Sequence, residues 1–156
     1  MKQTLKPAVL LGLVLPVVFW LAVLSYLLAA GSYRNLIYII AGGILLRAFC
    51  EIIYFFYKKP RPYQKSGVIP PHSWWLFSPQ LNRPDSFPSA HAAISFFGAF
   101  VLLYFGFVFL AALALLAAFL NAWGRVSLKY HDWLDILGGG VLAGFWLILF
   151  VFVVRM

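Results

Sequence analysis

SAHAAISFFGAFVLLYFGFVFLAALALLAAFLN, running from Ser89 to Asn121, decides the fold. Read as one helix, its 33 residues would extend about 50 Å, well past a hydrocarbon core of about 30 Å. Two short spans with a tight reversal near Tyr104, Phe105 and Gly106 fit better. Two crossings also bring Arg125 back to the membrane side that holds His91. One crossing would strand these polar residues on opposite faces, where they could not cooperate.

Outward from this stretch, the chain is apolar almost throughout. Its 156 residues are 64% hydrophobic and 10% charged, with a mean hydropathy of +0.94. Such values exclude an ordinary soluble domain and describe a polytopic membrane protein of one domain, residues 1–156. Pro7 to Ala30 is long enough for one span, with a kink expected at Pro16. Lys2 and Lys6 resemble a signal-peptide start. The apolar run after them exceeds such a leader and no small-residue cleavage site follows, so a retained helix is expected. Leu36 to Tyr57 forms a second span, in which Arg47 and Glu51 share a face and are expected to pair inside the bundle. Trp133 to Val154 forms the last, with Gly138, Gly139, Gly140 and Gly144 as a close-packing face. The expected fold is therefore all-α, a bundle of about five transmembrane helices. A long proline-rich loop from Lys58 to Phe87 joins helices 2 and 3, and Trp74 to Phe77 within it reads as an interfacial anchor.

Ionisable groups at membrane depth are costly and mark function by default. Here they fall in three fragments: Lys59-Pro60-Arg61-Pro62, then Pro88-Ser89-Ala90-His91, then Arg125 with His131 and Asp135. His131 and Asp135 lie one helical turn apart, so the carboxylate can accept one imidazole proton and leave the other nitrogen as a nucleophile. Asp132 points about 100° away round the helix and is the weaker candidate. Pro88 suits a helix start, where Ser89 and free N–H groups make an anion site and His91 can act as a general acid. Arg61 and Arg125 offer planar forks that match phosphate oxygens. Singly, each fragment also fits a bland reading, as a cap, a core ion pair or a chance Arg-Pro like Arg83-Pro84. With three His, four acids and one Cys in the chain, no metal site and no cofactor are expected. Cys50 has no possible disulfide partner within the chain. The net charge of +8 fits anionic lipid or an anionic substrate, and its location at loops between spans argues against nucleic acid.

In order and spacing the fragments resemble the type 2 phosphatidic acid phosphatase superfamily of membrane lipid phosphatases. That family carries Lys-x6-Arg-Pro, then Pro-Ser-x-His, then Ser/Gly-Arg-x5-His-x3-Asp. The match runs from about Tyr54 to Gly140. The resemblance implies that His131 attacks phosphorus to form a phosphohistidine and that Asp135 orients it. It further implies that His91 protonates the leaving group and then activates water, while Arg61, Arg125 and Ser89 bind phosphate. Tyr54 stands where the family's Lys is expected, with Lys58 or Lys59 as a candidate replacement, and Ala90 stands for the usual Gly. The form Tyr-x-x-Pro-Arg-Pro-Tyr followed by Ser-Phe-Pro-Ser-x-His is similar to the bacterial undecaprenyl pyrophosphate phosphatase branch. The expected substrate is accordingly undecaprenyl pyrophosphate, with phosphatidic acid, phosphatidylglycerophosphate or lipid A as alternatives.

The expected location is the cell membrane, in contact with membrane lipids; oligomeric state is left open. Lys2, Lys6, Lys58, Lys59, Arg61, Lys65, Arg83, Arg125 and Lys129 fall on the site side, against Arg34 and Arg155 opposite. That bias alone places the site in the cytoplasm. The resemblance implies an outward-facing site, and an anionic substrate itself demands cations there, so the outward reading is adopted. A non-enzymatic transporter would fit the span count but leaves His91, His131 and Asp135 without a role.

Overall fold

The computed structural model describes residues 10–67 and 83–155, and every regular element among them is helical. Helix α1 is Leu15–Ala29, α2 Tyr33–Phe56, α3 the short Pro62–Ser66, α4 Ala90–Tyr104, α5 Val108–Ser127 and α6 Trp133–Arg155. Lys2, Lys6 and the anchor expected at Trp74 to Phe77 lie outside the described residues. Helices α2, α5 and α6 are long and apolar enough to cross a membrane, and α1 and α4 are shorter apolar helices beside them. Pro16, expected to kink the middle of a span, instead falls in the first turn of α1, directly after a π-helical turn over Leu10–Val14. Proline has no N–H to give, so the ladder changes register there and leaves the middle of the helix intact.

Helix α4 is the hub, packed against α2, α5 and α6. Its apolar residues bury on nearly every side, including Ala92, Ala93, Phe97, Ala99 and Val101, which is why the decisive stretch shows no polar face. The reversal after it falls at Phe105 to Phe107, with Gly106 at φ 83°. That left-handed conformation costs glycine little. Helix α5 then runs to Ser127, so Arg125 stands in its last helical turn, where the helix dipole favours a cation. Large apolar side chains such as Ile44, Phe55, Phe109, Leu134 and Val141 are exposed around the perimeter, as a lipid-facing surface requires.

Close approach of α6 to α4 depends on the glycine run. A Cβ on Gly139 would meet the Ser89 carbonyl oxygen at 2.6 Å, and one on Gly138 would meet the Phe87 ring at 2.3 Å. Gly144 has nothing within 4 Å, so the small-residue face is confined to the N-terminal part of that helix. The three polar fragments meet at one end of the bundle, tied through the backbone. Ser86 N–H donates to Lys59 O (3.0 Å), Tyr63 N–H to Lys129 O (3.1 Å) and Ser89 N–H to Asp135 O (2.9 Å).

Candidate active site

Arg61 is fixed from both sides. Its N–H donates to the Gln64 side-chain oxygen at 2.7 Å, and Pro60 and Pro62 restrict the backbone around it. Its side chain is buried, and Nε donates to Asp85 Oδ1 at 2.8 Å. A guanidinium held on one edge still presents its fork in a set direction.

His131 lies in the turn between α5 and α6 and is 2% exposed. Its Nδ1 is 2.9 Å from the Ser86 carbonyl oxygen and 3.6 Å from Asp135 Oδ2. The nearer partner is thus the carbonyl, where the sequence pointed to the carboxylate. A carbonyl oxygen only accepts, so Nδ1 carries the proton and Nε2 the lone pair. Nε2 is buried and has no hydrogen-bond partner among the described residues. Burial pushes the imidazole below its ordinary pKa; the Asp135 carboxylate pulls it upward, and Arg61 and Arg125 push it down again. The net direction is down, which leaves a neutral ring at neutral pH.

Asp135 is fully buried and held from several directions. Ser86 Oγ donates to Oδ2 at 2.5 Å, Lys59 Nζ to Oδ1 at 2.7 Å and Asp132 N–H to Oδ2 at 3.0 Å. Asp132 Oδ1 accepts from Asp135 N–H at 3.0 Å, so the two aspartates form a reciprocal cap at the start of α6. The second partner of Lys59 is Asp132, also at 2.7 Å. Desolvation opposes the Lys59 charge, but these two carboxylates outweigh it and raise its pKa. Lys59, considered for the role of the Lys replaced by Tyr54, is thus held by the carboxylate pair, which takes two of its three N–H donors. Lys58 is exposed.

Ser89 caps α4, its Oγ accepting from Ala92 N–H at 3.4 Å, and His91 follows in the first turn. Tyr54 holds this helix start in place. Its hydroxyl donates to Pro88 O at 2.7 Å and accepts from Ala90 N–H at 3.2 Å. Arg125 is buried; its Nε donates to Asn121 Oδ1 at 3.4 Å, and Asn121 in turn donates to Ser95 Oγ at 3.0 Å. The charges of Arg61 and Arg125 act on both His91 and His131. All six residues singled out in the sequence therefore gather at one end of α4, α5 and α6.

A groove of about 540 Å³ opens beside them between α1, α2, α4 and α5. Its walls are apolar, with Trp20, Leu24, Ile40 and Ile94 among them, and His91, Arg125 and Arg47 stand at its polar end. Such a shape suits an amphiphile with an anionic head.

Compared with known protein families, residues 32–156 match the model of the PAP2 superfamily. The chain belongs to the PAP2 superfamily. Comparisons with curated proteins and with solved structures give no match. PAP2 proteins are phosphatases, so membership supports a phosphate hydrolase acting in a membrane on a lipid phosphate. In this PAP2 chain, sequence reasoning missed Ser86, Asp85 and the structural use of Tyr54 and Lys59. A signal existed for two of these: Asp85 and Ser86 directly precede the Phe87-Pro88-Ser89-Ala90-His91 run, in a chain with only four acidic residues.

Proposed function

We propose that the protein hydrolyses a lipid diphosphate, undecaprenyl pyrophosphate in the favoured reading, through a phosphohistidine on His131 and without a metal. One observation carries this reading: His131 is held at Nδ1 by the Ser86 carbonyl, Nε2 is buried with no hydrogen-bond partner among the described residues, and Arg61 and Arg125 lie near enough for their charges to act on the ring. Nε2 attacks the terminal phosphorus, and the bond from that phosphorus to the leaving oxygen breaks. The bound anionic phosphate offsets the neighbouring arginine charges and favours the cation of His91, which gives its proton to that oxygen. Water then attacks the phosphohistidine while His91 takes a proton from it, which releases inorganic phosphate and restores neutral His131. Arg61, Arg125 and the Ser89 hydroxyl bind the phosphoryl oxygens, and Asp135 offsets the charge that grows on the ring. The lipid chain lies in the apolar groove, and the site faces away from the cytoplasm.

Phosphate release from undecaprenyl pyrophosphate, phosphatidic acid, phosphatidylglycerophosphate and lipid A, measured with chelator present, tests the reaction and ranks the substrates. Undiminished turnover in His131→Ala would remove the nucleophile from the scheme. Orientation is tested with Lys65→Cys in a Cys50→Ala background, because Lys65 is exposed beside the site. An impermeant thiol reagent added to intact cells should label it; protection until lysis would place the site in the cytoplasm.

A further inference from the structure

Arg47 lies well inside α2, where a lone cation is expensive. Its Nη2 contacts Glu51 Oε1 at 2.5 Å, but Glu51 also binds Arg83 Nη2 through Oε2 at 2.8 Å. Two guanidiniums thus share one carboxylate, and the trio keeps a net positive charge. Nη1 of Arg47 is buried with no hydrogen-bond partner among the described residues. The guanidinium carbon lies 5.8 Å from the centre of the Tyr54 ring, whose hydroxyl pins the start of α4. The side chain lines the groove together with His91, and its charge acts on His91. A half-satisfied cation at the polar end of a lipid-shaped groove implies an anion that completes it.

We propose that Arg47 binds the second phosphate of a lipid diphosphate, the one that leaves with the lipid, and so makes the site prefer diphosphates to monophosphates. The inference rests on the phosphohistidine reading above. In that reading the terminal phosphoryl group sits among His131, Arg61 and Arg125, and His91 faces the leaving oxygen. The atom beyond that oxygen lies on the groove side, because the lipid chain does. In a diphosphate it is a second phosphorus, whose oxygens meet the Arg47 fork. When the bond to the terminal phosphorus breaks, the electron pair moves onto the bridging oxygen, and Arg47 bears on the charge left there. In a monophosphate that position is a carbon, and Arg47 has nothing to bind.

The test compares kcat/KM for undecaprenyl diphosphate and undecaprenyl monophosphate in detergent micelles. The ratio of the two should fall by about 10- to 100-fold in Arg47→Gln, the size expected for a lost hydrogen bond to a charged group, and should recover in part in Arg47→Lys. An unchanged ratio, with both substrates losing equally, overturns the proposal and makes Arg47 structural. A second measurement needs no variant: an alkyl methylenediphosphonate should inhibit the wild-type protein at least about 10-fold more tightly than the matching alkyl phosphonate. Equal inhibition overturns the proposal while leaving the phosphohistidine reading intact. A wild-type protein that hydrolyses neither lipid sinks both together.

Discussion

Replacing Asp135 by Asn separates two tasks that a carboxylate beside a histidine usually combines. One is to fix the tautomer; the other is to stabilise the positive ring. Here the Ser86 carbonyl, 2.9 Å from Nδ1, already performs the first. What the Asn variant removes is charge. At 3.6 Å, a carboxylate and a full imidazolium attract by about 5 kcal/mol at an effective dielectric constant of about 20. A loose transition state develops only part of that charge; if half, the loss is about 2–3 kcal/mol, or about 30- to 160-fold in kcat. The assay is steady-state phosphate release in micelles with chelator present, with His131→Ala setting the floor. A rate within about threefold of wild type would show that the carboxylate charge does not reach the ring. A rate at the His131→Ala floor would show that Asp135, and not the Ser86 carbonyl, holds the tautomer. Either result refutes the division of labour drawn from the distances.

Three further outcomes are expected. Tyr54→Phe removes the hydroxyl that joins Pro88 O to Ala90 N–H; it should cost about 1–3 kcal/mol in chemical unfolding and lower kcat by loosening Ser89 and His91. An unchanged kcat would mean that α4 keeps its start without the tether. Because His131 is held below its ordinary value of 6.5 and its neutral form is the nucleophile, activity should survive as pH falls through 6.5 and fail only as pH drops through the lower, folded-state value. Unfolded chains take up this proton first, so stability also declines with acidification below 6.5; an acid limb of kcat/KM centred above that value contradicts the reading. Gly139→Ala places a Cβ at 2.6 Å from the Ser89 carbonyl and should destabilise by about 1–3 kcal/mol while displacing the α4 start. Wild-type melting and turnover in that variant would show that α6 can draw back freely.

The legible part of this protein is the part whose physics is local or fixed by membrane thickness. The reversal at Gly106 and the return of Arg125 to the level of His91 follow from counting residues against about 30 Å of hydrocarbon; the chain does reverse there between two helices, although α4, with 15 residues, is shorter than a full span. Arg61, His91, Arg125, His131 and Asp135 were legible because a greasy chain gives each charged side chain a reason to be there. Lys59, Asp85 and Ser86 were not legible in their actual roles, because those roles depend on where a loop closes. Whether Lys59 reaches a phosphate or a carboxylate is set by the Ser86 N–H bond to Lys59 O, which brings residues 59 and 86 side by side beneath the start of α6. The same contact decides what Ser86 does. Once its N–H is anchored there, its carbonyl faces His131 Nδ1 and its hydroxyl faces Asp135. A short serine therefore contacts both halves of the His-Asp pair that sequence spacing had joined directly. Spacing of four on a helix brings two side chains near each other, but it cannot specify which acceptor takes a given proton. That choice belongs to the third strand of chain threaded between them.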